Sequence, residues 1–214
     1  MTPKNILIVM AHADDEILGM GATLMKHIEQ GDNVFMYSLT NANGGSLKLQ
    51  SLYNEKLPQW YISGLESNDQ SMDASDLNYF TNNITGVLDG LVNVGHPIDI
   101  VYTHSEGDIN KDHRYVGEAT RIACRPFSNA TSYKVKEIRT FIIQSDFVAS
   151  GKQFIPNLFI PVTQKHIDKA GEVAHEYGVD LDFKQIYATR CITTGRLIRT
   201  PLADQFDVIM RIAE

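Results

Sequence analysis

The residues best suited to chemistry in this chain form a short cluster, in which His12 is followed after one residue by Asp14, Asp15 and Glu16. Like charges this close repel one another and are costly to remove from water, unless a cation or bound protons offset them. A divalent metal is the simplest such cation. Imidazole nitrogen and carboxylate oxygen suit zinc, and also iron, cobalt or manganese. Because two such ligands leave the coordination shell incomplete, we expect a third from elsewhere in the chain.

The same cluster can also be interpreted as an ordinary acidic helix N-terminus. Asp and Glu in the first turn of a helix complement the positive end of the helix dipole. A single His beside them is commonly a packed or surface residue. Residues 11–16 alone do not decide between metal ligation and this structural role, because short motifs match by chance.

The flanking elements place this cluster at the carboxyl end of a strand. Residues 6–10, ILIVM, form an apolar, unbroken run, which predicts a strand buried on both faces. From Ile17 to about Gly31 apolar residues recur at helical spacing. Open α/β sheets bind ligands at such strand-to-helix turns, so the cluster is a candidate site.

A second polar cluster follows the predicted strand at 98–103 and precedes a helix that ends before Pro126. Its residues, 104–114, include His, Asp, Asn and Arg side chains. If the two strands are adjacent and parallel, either His104 or His113 is brought toward the first cluster. Two polar turns in matching positions indicate a shared site more strongly than one turn does.

The whole chain alternates strands with helices, which predicts a Rossmann-like layered α/β domain, its largely parallel sheet flanked by helices and its site at the carboxyl ends of the strands. The remaining predicted elements are a strand at 34–39, a polar glycine-rich loop at 40–46, an amphipathic helix at 47–64 interrupted near Pro58, a polar segment at 66–76, a helix at 78–94, strands at 138–143 and 157–160, a helix at 164–177, and a last helical region from about 183 that breaks near 200–201 and resumes through 203–212.

Composition narrows the class of protein. With 214 residues and 43% hydrophobic composition, a single domain over residues 1–214 is expected. The net charge of -7 argues against nucleic acid as the main partner. The N-terminus resembles neither a signal peptide nor a membrane span, which predicts a cytoplasmic protein. Cys124 and Cys191 lack metal-type spacing and are expected to be reduced thiols in or near the core.

Both clusters resemble motifs of the PIG-L/LmbE-like zinc-dependent N-deacetylases. Residues 11–16 and 18–24 resemble the family signature Ala-His-Pro-Asp-Asp-Glu with its Leu-Gly-x-Gly-x-Thr-Leu continuation. Residues 103–114 resemble the family's Asp-His-containing motif. Weaker similarities extend over most of the chain, at residues 40–45, 124–126, 157–159, 190, 195 and 203–206.

The resemblance implies that His12, Asp15 and His113 bind zinc, with water in the open position, and that Asp14 is the general base. Three protein ligands plus water is the arrangement of catalytic zinc sites. A neighbouring carboxylate can accept the water's proton and pass a proton to the departing amine. Glu16 is then expected to have a supporting or structural role.

The implied reaction is hydrolysis of an N-acetyl or other small N-acyl group. The expected substrate is an amino sugar such as N-acetylglucosamine, a nucleotide sugar or a glycoconjugate, and the resemblance also allows a homo-oligomer.

Three residues depart from the family pattern. Ala13 replaces the usual Pro, which removes backbone restraint but no chemical group. Leu52 occupies the place of a common Arg. Asn110 stands where many members have a His, and an amide can donate a hydrogen bond to an oxyanion but cannot transfer a proton. We therefore predict that His104 or Asp112 helps to orient or stabilise the tetrahedral intermediate.

Two other functions compete with this interpretation. Ala13 and Asn110 are compatible with a catalytically impaired sugar- or metal-binding module of the same fold. Gly19 and Gly21 suggest a nucleotide-binding protein, but they lie inside the helical pattern without a third glycine at the required place.

Overall fold

The computed structural model describes residues 2–40, 59–65, 72–73, 76–125, 135–143, 153–176, 178–179 and 182–212. Its elements, in chain order, are β1 (Asn5–Met10), α1 (Asp15–Gln30), β2 (Asn33–Thr40), β3 (Gln59–Leu65), α2 (Leu77–Asn93), β4 (Ile100–His104), α3 (Lys111–Ala123), β5 (Glu137–Phe141), β6 (Leu158–Pro161), α4 (Gln164–Glu176), α5 (Asp182–Leu197) and β7 (Ala203–Arg211). None of these helices combines the length and apolar character needed to cross a bilayer.

All seven described strands belong to one sheet, in the order β3-β2-β1-β4-β5-β7-β6. The first five are parallel, while β7 is antiparallel to both β5 and β6. This confirms the predicted α/β fold with a largely parallel sheet. The chain places β2 on one side of β1 and β4 on the other, so a crevice forms at their carboxyl ends. Both polar clusters therefore lie at the same edge of the sheet.

The central strand β1 is buried on both faces, as its unbroken apolar sequence predicts. Ile6, Ile8 and Met10 pack in a core that includes residues of α1 and α4. Leu7 and Val9 pack on the other face, against residues of α2 and α3. The sheet is therefore covered by helices on both faces, and the turn after β1 has a rigid base.

Two predicted helical segments are wrong. Residues 203–211 form β7, which pairs with β5 and β6 and buries Ala203 and Phe206. Residues 59–65 form β3, parallel to β2, where a helix to residue 64 was predicted. Aromatic and β-branched residues favour strands where a neighbouring strand can pair with them, and this tertiary pairing overrides helical spacing.

Several other predictions fall outside the described residues. These are the glycine-rich loop after Thr40, the proposed helix over 47–58 with Leu52, and most of the polar segment at 66–76. Cys124 and Cys191 are both buried and neither forms a disulfide, as predicted.

A glycine allows α3 to approach β4 closely. A Cβ added at Gly117 would lie 2.5 Å from the backbone oxygen of His104. A backbone atom cannot rotate away as the end of a flexible side chain can. The distance between α3 and β4 therefore depends on the absence of a side chain at Gly117. The second polar cluster lies between these two elements, so its geometry depends on Gly117 as well.

We expect Gly117→Ala to lower the free energy of unfolding by about 1–3 kcal/mol, because it forces α3 away from β4. The matched control is Gly86→Ala in α2, where an added Cβ meets nothing within 4 Å. That variant should gain about 0.5–1 kcal/mol from the better helix propensity of Ala. Equilibrium denaturant unfolding measures both changes, and equal stability of the two variants would contradict the close-packing argument.

Candidate metal centre

The turn between β1 and α1 is fixed by hydrogen bonds of its own and by bonds from β2. The His12 N–H donates to Asp15 Oδ2 at 2.7 Å, which closes the turn. The Thr40 N–H and hydroxyl both donate to the Ala11 carbonyl, at 3.1 and 2.8 Å. These bonds hold the first polar cluster above the carboxyl ends of β1 and β2.

Asp14, at the N-cap of α1, has an unusual backbone conformation. Its φ of 144° and ψ of -17° lie in a region that L-residues rarely adopt, at a cost of about 1–3 kcal/mol. The Glu16 carboxylate accepts the Asp14 N–H at 3.2 Å, while the Asp14 carbonyl accepts the N–H groups of Ile17 and Leu18. Glu16 is completely buried. It therefore supports the strained residue, consistent with the structural role expected for it.

The three predicted metal ligands lie together. One ligand atom each from His12, Asp15 and His113 can be chosen so that all lie within 4.8 Å of one another. His113 Nε2 is 3.3 Å from Asp15 Oδ1, and His12 Nδ1 is 3.5 Å from Asp15 Oδ2. All three side chains are buried. Two imidazoles and one carboxylate are a common ligand set of catalytic zinc, so these residues fit the metal that the sequence implies.

A carboxylate lies beside the other ring nitrogen of each histidine. Asp112 Oδ2 is 3.2 Å from His12 Nε2, and Asp108 Oδ2 is 3.2 Å from His113 Nδ1. Histidines that bind metals usually have such a partner, which fixes the tautomer and the ring orientation. Sequence reasoning did not assign Asp108, although its place in the same loop as His113 was a usable signal.

Backbone N–H groups hold both carboxylates in place. Asp112 Oδ1 accepts the Met72 N–H at 3.1 Å. Asp108 accepts the N–H groups of Asn110 at 2.9 Å and of Ile143 at 3.3 Å. Both aspartates are completely buried. Because their carboxylates are also bonded to the backbone, their positions beside the histidines are restrained.

His104 is completely buried beside the three predicted ligands. Its Nε2 accepts the Ala11 N–H at 3.1 Å and is 3.1 Å from Asp15 Oδ2. Its ring stacks on that of His113, with centroids 4.1 Å apart and planes 11° apart. His104, Asp108 and His113 also form a second group of possible metal donors, which shares His113 with the first. His104 thus contacts Asp15 and His113, two of the three predicted ligands, directly.

Asn110 is the N-cap of α3. Its side-chain oxygen accepts the Asp112 N–H at 2.9 Å, as N-cap residues commonly do. The Arg114 guanidinium adds hydrogen bonds to the carbonyls of Asp108 and Ile109. The side-chain oxygen of Asn110 thus helps to start the helix that carries Asp112 and His113.

Burial and charge act in opposite directions on the two adjacent aspartates. Burial, together with the carboxylates of Asp15 and Glu16, raises the pKa of Asp14 to about 8. Burial also tends to raise the pKa of Asp15, but His113 and His104 more than reverse this and lower it well below its usual value. Asp15 is therefore the ionised carboxylate at the centre of the cluster.

The two histidines have raised pKa values for a related reason. Burial tends to lower the pKa of His12, but Asp112 and Asp15 outweigh it and raise the pKa to about 10. Burial acts likewise on His113, whose pKa is raised to about 9 by Asp15 and Asp108. In the absence of a cation, bound protons balance the carboxylates, as the sequence argument requires.

Comparison with solved structures supports the fold assignment. A conserved protein of Thermus thermophilus superimposes with a TM-score of 0.72 at 16% identity, covering 99% of this chain and 97% of that one. The N,N'-diacetylchitobiose deacetylase of Pyrococcus horikoshii does so with a TM-score of 0.73 at 15% identity, covering 97% and 84%. The 4-carboxy-2-hydroxymuconate hydratase GalB of Pseudomonas putida KT2440 also matches, with a TM-score of 0.67 at 15% identity, covering 99% and 98%.

Sequence comparison gives the family. The protein YaiS of Escherichia coli K12, described as an uncharacterized deacetylase, is 26% identical over 136 residues, which is 61% of this chain and 74% of that protein. The family described as PIG-L, GlcNAc-PI de-N-acetylase, matches residues 7–124, which include both polar clusters. The chain therefore belongs to the PIG-L family, as its two motifs predicted.

Proposed function

We propose that this protein is a zinc-dependent hydrolase that removes an N-acetyl or other small N-acyl group from an amino sugar or a glycoconjugate. The observation that carries the proposal is the buried group of His12, Asp15 and His113, with the partly exposed Asp14 beside it in the same turn. Membership of a family described as a de-N-acetylase supports the reaction. The names of the chitobiose and YaiS deacetylases are consistent with it.

The ligands supply one part of the chemistry. When held by His12, Asp15 and His113, a divalent metal polarises a substrate carbonyl and lowers the pKa of water. Zinc is the metal we propose, although iron and cobalt accept the same ligands. Asp108 and Asp112 orient the two imidazoles, and the His104 ring packs behind His113 and Asp15. We assign these three residues a positioning role, since their contacts are with the ligands.

Asp14 supplies the proton transfer. It is the partly exposed carboxyl of the cluster, whereas Asp15 and Glu16 are buried. As general base, Asp14 takes the proton from water as the amide carbon is attacked, and then returns a proton to the leaving amine. Asn110 is the candidate hydrogen-bond donor to the intermediate in place of the family histidine.

Two alternative functions differ from this proposal in the products they would give. The first is a catalytically impaired sugar- or metal-binding module, which the replacement of the family histidine by Asn110 favours. The second is a hydratase activity, the addition of water to a carbon–carbon double bond, because a hydratase shares this fold. Hydrolysis of an N-acyl group gives a free amine and a carboxylate, whereas neither alternative does.

We expect zinc-loaded protein to release acetate from at least one member of a panel of N-acetyl amino sugars, both free and nucleotide-linked. Asp14→Asn should lower kcat by roughly 10²–10⁴-fold, the usual contribution of general acid–base catalysis, and leave KM nearly unchanged. Enzymatic quantification of acetate measures both parameters.

The control is Asp89→Asn in α2, which removes a carboxylate outside the cluster and should retain full activity. Release that survives in Asp14→Asn would remove this residue from the mechanism. Absence of release from the whole panel and from larger N-acetylated glycoconjugates, with zinc bound, would overturn the deacetylase proposal in favour of the binding module.

We expect Asp108→Asn to weaken zinc affinity by about 10–100-fold, because the amide can no longer fix the charge and tautomer of His113. Competition against a chromophoric chelator measures this affinity, with Asp89→Asn again as the matched control. Unchanged affinity in Asp108→Asn would show that the contact with His113 does not support the ligand.

A further inference from the structure

Helix α1 is interrupted five residues after its first residue. Met20 has φ -147° and ψ 24°, which are not helical values. In a continuous helix the Ala22 N–H would bond to the Leu18 carbonyl, and the Thr23 N–H to the Gly19 carbonyl, across Met20. A break at this point leaves these four backbone groups in need of other partners.

Side chains from the C-terminal part of the chain bond to all four groups. The Arg190 guanidinium donates from Nη2 to the carbonyls of Leu18 at 3.1 Å and Gly19 at 3.0 Å. The Tyr187 hydroxyl accepts the Ala22 N–H at 2.9 Å. An Asp204 carboxylate oxygen accepts the Thr23 N–H at 2.9 Å. We call Tyr187, Arg190 and Asp204 the C-terminal clasp.

The clasp is itself connected. The Tyr187 hydroxyl donates to Asp204 at 2.8 Å, and the Arg190 guanidinium lies over the Tyr187 ring, 4.5 Å from its centroid. Asp204 also accepts the Thr23 hydroxyl at 2.7 Å. Tyr187 and Asp204 are buried. The three side chains thus form one unit that joins α5 and β7 to both sides of the break.

The segment before the break carries the proposed metal-binding turn. It begins at Asp15, the central proposed ligand, and ends at Gly19, where an added Cβ would collide with the Phe141 ring. The Phe141 ring in turn lies 4.9 Å from that of His104, which contacts Asp15. Residues 15–19 therefore lie between two contacts. Arg190 bonds to the carbonyl groups at their end, and the Phe141 ring packs against Gly19.

We propose that Arg190 is a positioning residue for the metal-binding turn, which sets the orientation of Asp15 by bonding to the Leu18 and Gly19 carbonyls. This inference rests on the proposed metal site. It adds a residue beyond position 124, outside the part of the chain that the family match covers. The break makes this role possible, because the first turn of α1 is no longer aligned by the rest of its own helix.

The test compares Arg190→Met, Arg190→Lys and the control Arg196→Met, an exposed arginine on the same helix. Co²⁺ is the probe, since its visible absorption reports coordination geometry and its titration reports affinity. We expect Arg190→Met to weaken Co²⁺ affinity by about tenfold or more and to change the absorption bands. Arg190→Lys should restore part of both, because an ammonium can still donate to carbonyls.

Thermal unfolding of each variant shows whether it is folded. A change in Co²⁺ binding in a folded variant then reports on the metal-binding turn and not on a general loss of structure. Arg196→Met should match the wild type in every measurement. Wild-type affinity and absorption bands in Arg190→Met, or in Arg190→Gln should the Met variant not fold, would overturn the positioning role and leave the metal site intact, because neither side chain can replace the guanidinium on both carbonyls. A wild-type protein that takes up no Co²⁺ or Zn²⁺ would instead overturn the proposed function, and the positioning role with it.

Discussion

The interaction on which the rest of the structure depends is the burial of the Asp15 carboxylate, since only 2% of this residue is exposed. A carboxylate at this depth is tolerated only with charged or hydrogen-bonding partners. Its Oδ2 bonds to the His12 N–H and contacts His104, while its Oδ1 faces His113. These partners come from the β1–α1 turn, the end of β4 and the start of α3. Loss of any of the three elements would leave the charge incompletely paired.

The fold holds these three elements close together, and their positions depend on three local structural features. Parallel pairing of β1 with β4 brings the two polar turns to one edge of the sheet. The missing side chain at Gly117 lets α3 lie close to β4. The break at Met20 separates the first turn of α1 from the remainder of the helix. Local strain at Asp14 and the helix break are thus both concentrated where the proposed chemistry occurs.

The features that could be predicted from the sequence are those encoded by short-range patterns of residue types. His12, Asp15 and His113 follow or flank strongly apolar runs, so their common edge could be inferred, and the parallel core followed from strand–helix alternation. The features that it did not predict depend on contacts between residues distant in sequence. The identity of β7 as a strand is fixed by its pairing with β5 and β6, and the α1 break is stabilised by Arg190 from a much later helix. The loop that Asp108 shares with His113 was a signal in the sequence, but the contact itself depends on which way the His113 ring faces.

We propose that a metal binds between His12, Asp15 and His113. The most direct measurement is anomalous X-ray diffraction, above and below the zinc absorption edge, from crystals of the protein purified without chelator and supplied with zinc. We expect a single strong anomalous peak within bonding distance of an imidazole nitrogen of each histidine and of an Asp15 oxygen. No zinc peak at this cluster, with the three side chains ordered, would contradict it.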